Sequence, residues 1–308
     1  QKQTAPRHPM TRAHVAVHHL VKVPGPKATL TNRRAVAADT AFIQACRSNS
    51  PIYLAGYIPH NWHFGWVTAA IEGWKSQAYA MAEGTAAALS PELIRAPGMG
   101  VAQHFLMQPT FAQVRFADWQ RILDAPAPDD DLLYARGIWH YARGQAYAGL
   151  GQNEAARTEL EALVALRADP AIAELAFFNR HSAEVLLEVA ETVLTGVLQV
   201  ADGDLTTAIP TLQRAVALED AIPYNEPPDW FFPARHLLGE AQLANGDLAA
   251  AEATYRQDLA IMPENGWALR GLAKTLTEAG KSAESATVMA RFENAWANAE
   301  VTLEGSTL

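Results

Sequence analysis

The sequence predicts an all-α protein, a right-handed α-solenoid of about seven stacked helix pairs. Three observations carry that expectation. A glycine-anchored pattern with fixed spacing recurs through the second half of the chain. No alternating apolar run of strand type survives between its copies. Hydrophobic residues make up 49% and charged residues 19% of the 308, the balance of a chain that buries a core rather than staying disordered.

The pattern starts at Gly144, which precedes Gly151 by seven residues, with Ala156 five further on. The same spacing gives Gly196, Gly203 and Ala208, then Gly239, Gly246 and Ala251, then Ala273, Gly280 and Ser285. Pro263 lies seventeen residues after Gly246, and Gly246 and Gly280 are 34 apart. Each mark has a physical reason. The first small residue lets one helix approach the next. The middle glycine takes the left-handed conformation that ends a helix at little cost. The alanine lets the second helix pack closely, and the proline stops the unit. Together these marks resemble the tetratricopeptide repeat, a helix–turn–helix unit of 34 residues.

Weaker copies lie upstream. Residues 62–89 have Gly73 at the turn and Ala78 five later, and residues 100–123 read as a helix pair with its turn at "RFAD" (115–118). A further pair over 14–43 is broken by "KVPGPK" (22–27). Segments 86–100, 124–131 and 218–233 are Pro- and Gly-marked connectors, and the four prolines of the last keep it from being helical throughout. We expect one continuous superhelical domain over 1–308, with His-rich helix pairs in 1–90, repeats over 100–300 and an unstructured tail at 301–308.

The formal net charge of −9 argues against a nucleic-acid partner, since phosphate neutralisation needs clustered Lys and Arg. No apolar run is long enough to insert into a membrane. Cys46 stands alone, so no internal disulfide and no Cys-based zinc cage can form. That suits a cytoplasmic protein and leaves a periplasmic one open. The chain opens on Gln1 rather than Met, as expected of a processed chain or a fragment.

Six of the ten histidines fall within the first 63 residues. His14 and His18 are four apart and share one side of a helix; His60 and His63 are three apart in "PHNWH", where Pro59 suits a helix start. Neutral imidazoles in such pairs are ligands for Zn, Cu, Ni or Fe. Glu72 and Asp39 are the nearest carboxylates by register. The stretch "HVAVH" lacks the glutamate of the His-Glu-x-x-His peptidases, which removes their general base and that reaction with it. The plainer alternative makes these histidines packing residues. There is no phosphate-binding glycine loop and no Gly-x-Ser-x-Gly elbow.

From Asn32 onward the chain resembles a group of bacterial tetratricopeptide-repeat proteins. The matching words are "NRRAVAAD" (32–39), "YIPHNWHF" (57–64), "RFADW" (115–119), "WHYARG" (139–144), "EDAIPYNEPPDWFFP" (219–233) and "PENGWALRGLAKTL" (263–276). Members of the group carry a His-Met-Pro-Ser-His-Ile word upstream and a histidine pair on a preceding helix. His14 and His18 fit the two histidines of that word after a one-residue gap, with Val-Ala-Val between them. The resemblance implies a metal or catalytic site at His14, His18, His60 and His63, and it brings no established activity.

Three functions follow as expectations. The first is a repeat protein holding a transition metal at those four histidines. The second is a scaffold that binds a peptide or protein partner in a concave groove lined by Tyr141, Arg143, Arg235 and His236, with a neutral or basic partner favoured by the negative charge. The third is a metal-dependent enzyme of unspecified reaction.

Overall fold

The computed structural model describes Arg34, Val36, Ala37 and residues 57–177, 180–230 and 232–308. Within them the chain is an all-α array of helix pairs, as expected. The first pair is α1 (Ile58–Ile71) and α2 (Lys75–Ala87). Four short helices follow: α3 (Pro91–Ile94), α4 (Gly100–Leu106), α5 (Gln108–Arg115) and α6 (Trp119–Asp124). Next comes the pair α7 (Leu133–Gly149) and α8 (Asn153–Arg167). Helix α9 (Pro170–Glu174) and a two-stranded antiparallel hairpin, β1 (Ala176–Phe177) and β2 (His181–Ser182), lead into α10 (Ala183–Ala201) and α11 (Leu205–Ala221). The last pairs are α12 (Ala234–Ala244) with α13 (Leu248–Ile261), and α14 (Gly266–Glu278) with α15 (Ser282–Ala295).

The turns form where the sequence places them. Gly246 has φ +79°, and its N–H bonds Leu243 O at 3.0 Å while the N–H of Asp247 reaches Gln242 O at 2.9 Å. Two orphan carbonyls of α12 are thereby satisfied by a left-handed residue that carries no Cβ. Asp247 then caps the next helix, its side chain accepting from Ala250 N at 3.1 Å. Gly203 and Asp204 repeat the device between α10 and α11. Asn265 caps α14 by accepting from Trp267 N at 3.2 Å. At "RFAD" the turn is real, with Ala117 at φ +50°.

First helices of successive pairs touch along the array: α7 on α10, α10 on α12, α12 on α14. Small residues make this possible. A Cβ on Gly144 would overlap Leu194 of α10, and one on Gly239 would overlap the Tyr255 ring. The last pair returns to the first. Trp267 Nε1 donates to Ala70 O at 2.8 Å, the Trp296 ring fills the space a Cβ on Gly73 would need, and Glu300 N donates to Gly73 O at 3.0 Å. The core is continuous from Trp66 through Tyr134, Leu187 and Tyr255 to Leu276.

One expectation is overturned. Residues 301–308 are not an unstructured tail: Leu303 is 4% exposed and Ser306 fully buried. The segment has no helical periodicity, so nothing local orders it. Tertiary contacts do.

Candidate functional site

His14, His18 and Asp39 lie outside the described residues. His60 and His63 stand in the first turns of α1, after Pro59. His60 is half-buried with its ring edge-on to Phe64, 4.8 Å between centroids. His63 is buried against Trp66, Phe105 and His104, the last at 5.9 Å. Burial first, then the neighbouring His104 and His60, hold its pKa well below the usual histidine value. It is therefore neutral at neutral pH. Glu72 caps the far end of α1, some twelve residues from His60, so the helix itself carries it away from that pair.

His104, in α4, extends this row. Its Nδ1 lies 2.8 Å from Tyr134 Oη, and burial pushes its pKa down to about 4. Beyond it His181 sits 3.0 Å from Asp229. Burial opposes charge on His181, but the Asp229 hydrogen bond, the Ser182 carbonyl and the Asp229 charge together outweigh it and raise the pKa. Among the described residues, no three His, Cys, Asp or Glu side chains gather closely enough to hold a metal ion.

Two of the four groove candidates are placed differently from expectation. Tyr141 and His236 are core residues, at 1% and 0% exposure, and offer nothing to a partner. Arg143 is a pin between α7 and α8: it donates to Glu159 at 2.7 Å and to Tyr147 Oη at 2.8 Å, and His140 takes the other Glu159 oxygen at 2.6 Å. Arg235 is buried and donates to Asp220 at 2.5 Å, tying α12 to the end of α11. Helix geometry explains the two core cases. Tyr141 is three residues before Gly144, and His236 three before Gly239, so both share the face those glycines bring against a neighbour.

What the first-helix side does hold is chain. Residues 300–306 run across α12, α13 and α14. Glu300 takes the N–H and hydroxyl of Ser76, both at 2.6 Å. Trp296 Nε1 donates to Val301 O at 2.8 Å, and Arg270 Nε to Leu303 O at 2.9 Å. Ser306 is gripped three ways: its N–H donates to Glu240 at 2.5 Å, its hydroxyl to His236 O at 2.9 Å, and Tyr255 Oη lies 2.9 Å from the same hydroxyl. Gly305 has no room for a Cβ beside Glu240. Three of these contacts address backbone atoms, which any extended sequence offers; Leu303, Gly305 and Ser306 add selectivity. Glu240 and Arg270 each adjoin a packing glycine, Gly239 and Gly271, and that adjacency was the available sequence signal for them.

Two cavities flank this region. One, of about 190 Å³, is bordered by Glu219, Asp220, Asp229, Trp230, Arg235 and Asp258 among others. Glu219 accepts from Ala234 N at 2.8 Å; crowding by protein, with Asp258 and Asp220 adding to it, pushes its carboxyl up to about 8 against the pull of that amide and Arg235. The other, of about 170 Å³, is bordered by Arg115, Trp119, Gln145, Phe232, Trp267 and the 307–308 end of the segment.

Among the described residues no helix is long and apolar enough to cross a membrane. Models of the tetratricopeptide repeat match residues 140–170 and 233–257, which are α7–α8 and α12 with the first part of α13. No curated protein matches the chain.

Proposed function

We propose that this tetratricopeptide-repeat chain is a binding scaffold whose first-helix face grips an extended segment of a partner protein. One observation carries the reading: α12 and α14 already hold residues 300–306 of the chain itself through the Glu240 and Arg270 side chains, aimed at backbone atoms, while the Ser306 hydroxyl meets His236 O and the Tyr255 hydroxyl of α13. A partner segment that competes has the same chemistry, an apolar residue followed two positions later by Gly-Ser. The resident segment is tethered, and a short tether supplies an effective concentration on the order of mM. A free peptide therefore competes poorly until the resident is released.

The test uses the full chain with Leu303→Asp, which makes burial of the segment costly without touching the repeats. A fluorescent peptide of residues 299–308 binds this variant saturably and binds wild type at least about tenfold more weakly. Adding Glu240→Ala and Arg270→Ala abolishes the binding. Equal binding to wild type and variant, or none to a folded variant, overturns the reading.

A second reading, a transition-metal centre of Zn, Cu, Ni or Fe at His14, His18, His60 and His63, is favoured by the neutral state of His63, the form that coordinates. Two of those four histidines, His60 and His63, lie among the described residues, three apart on α1. The metal would hold the N-terminal segment to α1. Metal analysis of untagged protein tests it: near-stoichiometric metal, lost in His60→Ala and in His63→Ala with the helical signal retained, supports it, and metal-free protein removes it.

A further inference from the structure

Arg115 ends α5 inside the protein, at 4% exposure. Its guanidinium lies 3.6 Å from the centroid of the Trp267 ring and 4.6 Å from that of Phe232. Nη2 donates to His236 Nδ1 at 3.1 Å. That bond fixes the imidazole tautomer: Nε2 carries the proton and faces Asp258 at 3.3 Å. Among the described residues Arg115 makes no ion pair, and Nη1 is buried without a hydrogen-bond partner. A guanidinium stays protonated in proteins, so burial cannot neutralise it. The two aromatic faces compensate in part, and Asp258 acts only across an imidazole. One donor edge of a buried cation is left over.

That residue borders the 170 Å³ cavity, and so does Gln145 of α7, whose Nε2 is likewise buried without a hydrogen-bond partner. The other walls include Trp119, Val197, Phe232, Leu237 and Trp267, together with residues 307–308 of the C-terminal segment. Arg115 Nη1, and the Gln145 amide with only the Tyr141 hydroxyl acting on it from the same helix, thus border one largely apolar chamber from separate helices. A single guanidinium with one amide matches a singly charged, planar, two-oxygen head. The walls match a compact apolar body, and an apolar cavity of ~150 Å³ is large enough for benzene.

We propose that this chamber is a binding site for a monocarboxylate with a compact apolar body, its carboxylate on Arg115 Nη1 and Gln145 Nε2. The site goes beyond the scaffold reading and uses neither Glu240 nor Arg270; because residues 307–308 of the C-terminal segment border it, its test is made on the wild-type chain with that segment in place, where failure of the peptide competition leaves it untouched. Such a carboxylate is offered by a free small acid or by the carboxyl end of a polypeptide.

Calorimetric titration and thermal shift with benzoate and its neutral isostere benzamide decide the proposal on wild-type protein alone. Benzoate binds at least about tenfold tighter than benzamide and raises the melting temperature with concentration. A pentapeptide ending in phenylalanine, as free acid and as amide, separates the sources: discrimination by the peptide pair alone assigns a polypeptide end, by the benzoate pair a free acid. Arg115→Met removes the discrimination while the helical signal persists. Gln145→Leu weakens benzoate without disturbing Arg115, and serves if the first variant does not fold. Equal affinity for acid and amide in both pairs, or binding of neither acid, overturns the site.

Discussion

His104 makes the stability of this protein fall with acid in a countable way. Its ring is 2% exposed, and burial lowers its pKa from 6.5 to about 4. A depressed folded pKa means that the contribution to stability is present above the unfolded value and is lost as pH falls through the folded one. Between pH 6.5 and 4 the unfolded chain therefore holds one more proton at this residue than the folded chain. The corresponding slope approaches 1.4 kcal/mol per pH unit, and the span amounts to about 3 kcal/mol. His63 and His236, also buried with lowered values, act in the same direction. The perturbation is His104→Asn, which keeps a polar partner within reach of Tyr134 Oη. Urea unfolding at closely spaced pH values from 5 to 6.5 gives the slope for each chain. The variant loses stability at neutral pH through the space it leaves, but its slope against pH drops by about 1.2 kcal/mol per unit, one proton's worth near pH 5.5. Glu219, which titrates between 4.5 and about 8, contributes equally to both chains and cancels. Parallel curves for wild type and variant would refute the buried, neutral state of His104.

Glu219 has the opposite sign. Its folded pKa is raised to about 8, so stability falls as pH rises from 4.5 to that value, and Glu219→Gln flattens the fall between pH 7 and 8.5 in thermal melts. Gly246→Val places a β-branched residue at φ +79° and costs on the order of 1–2 kcal/mol by denaturant unfolding, with no change in peptide binding by the Leu303→Asp chain. Arg143→Ala leaves Glu159 with one partner fewer and costs about 1–3 kcal/mol, yet leaves binding of the 299–308 peptide unchanged; a loss of binding would return Arg143 to the groove.

The turn glycines were legible because they act locally: Gly151, Gly203, Gly246 and Gly280 each have positive φ, and the middle mark of each repeat found them. The proline-marked connector before α12 was legible for the same reason. What was not legible is set by contacts far apart in sequence. His63 meets His104 across 41 positions with no motif joining them, and the row of buried imidazoles appears only once α1 and α4 pack. Of the groove candidates, Tyr141 and His236 are core residues because helical register outweighs residue type: they point where their glycines point. Segment 301–308 read as a tail because Gly305 and Ser306 look like loop residues. Glu240, 66 positions from Ser306, and Arg270, 33 from Leu303, make it structure.

The grip on that segment is most directly read by hydrogen–deuterium exchange across residues 300–308. In wild type the Ser306 amide, held by Glu240, exchanges slowly, and so does the chain around Leu303. Leu303→Asp releases both to the rate of free peptide while α12, α13 and α14 keep their protection. Saturating 299–308 peptide then slows exchange in the first turns of α12 and α14 of the variant. Free-peptide rates at 300–308 in the wild-type protein would contradict the account.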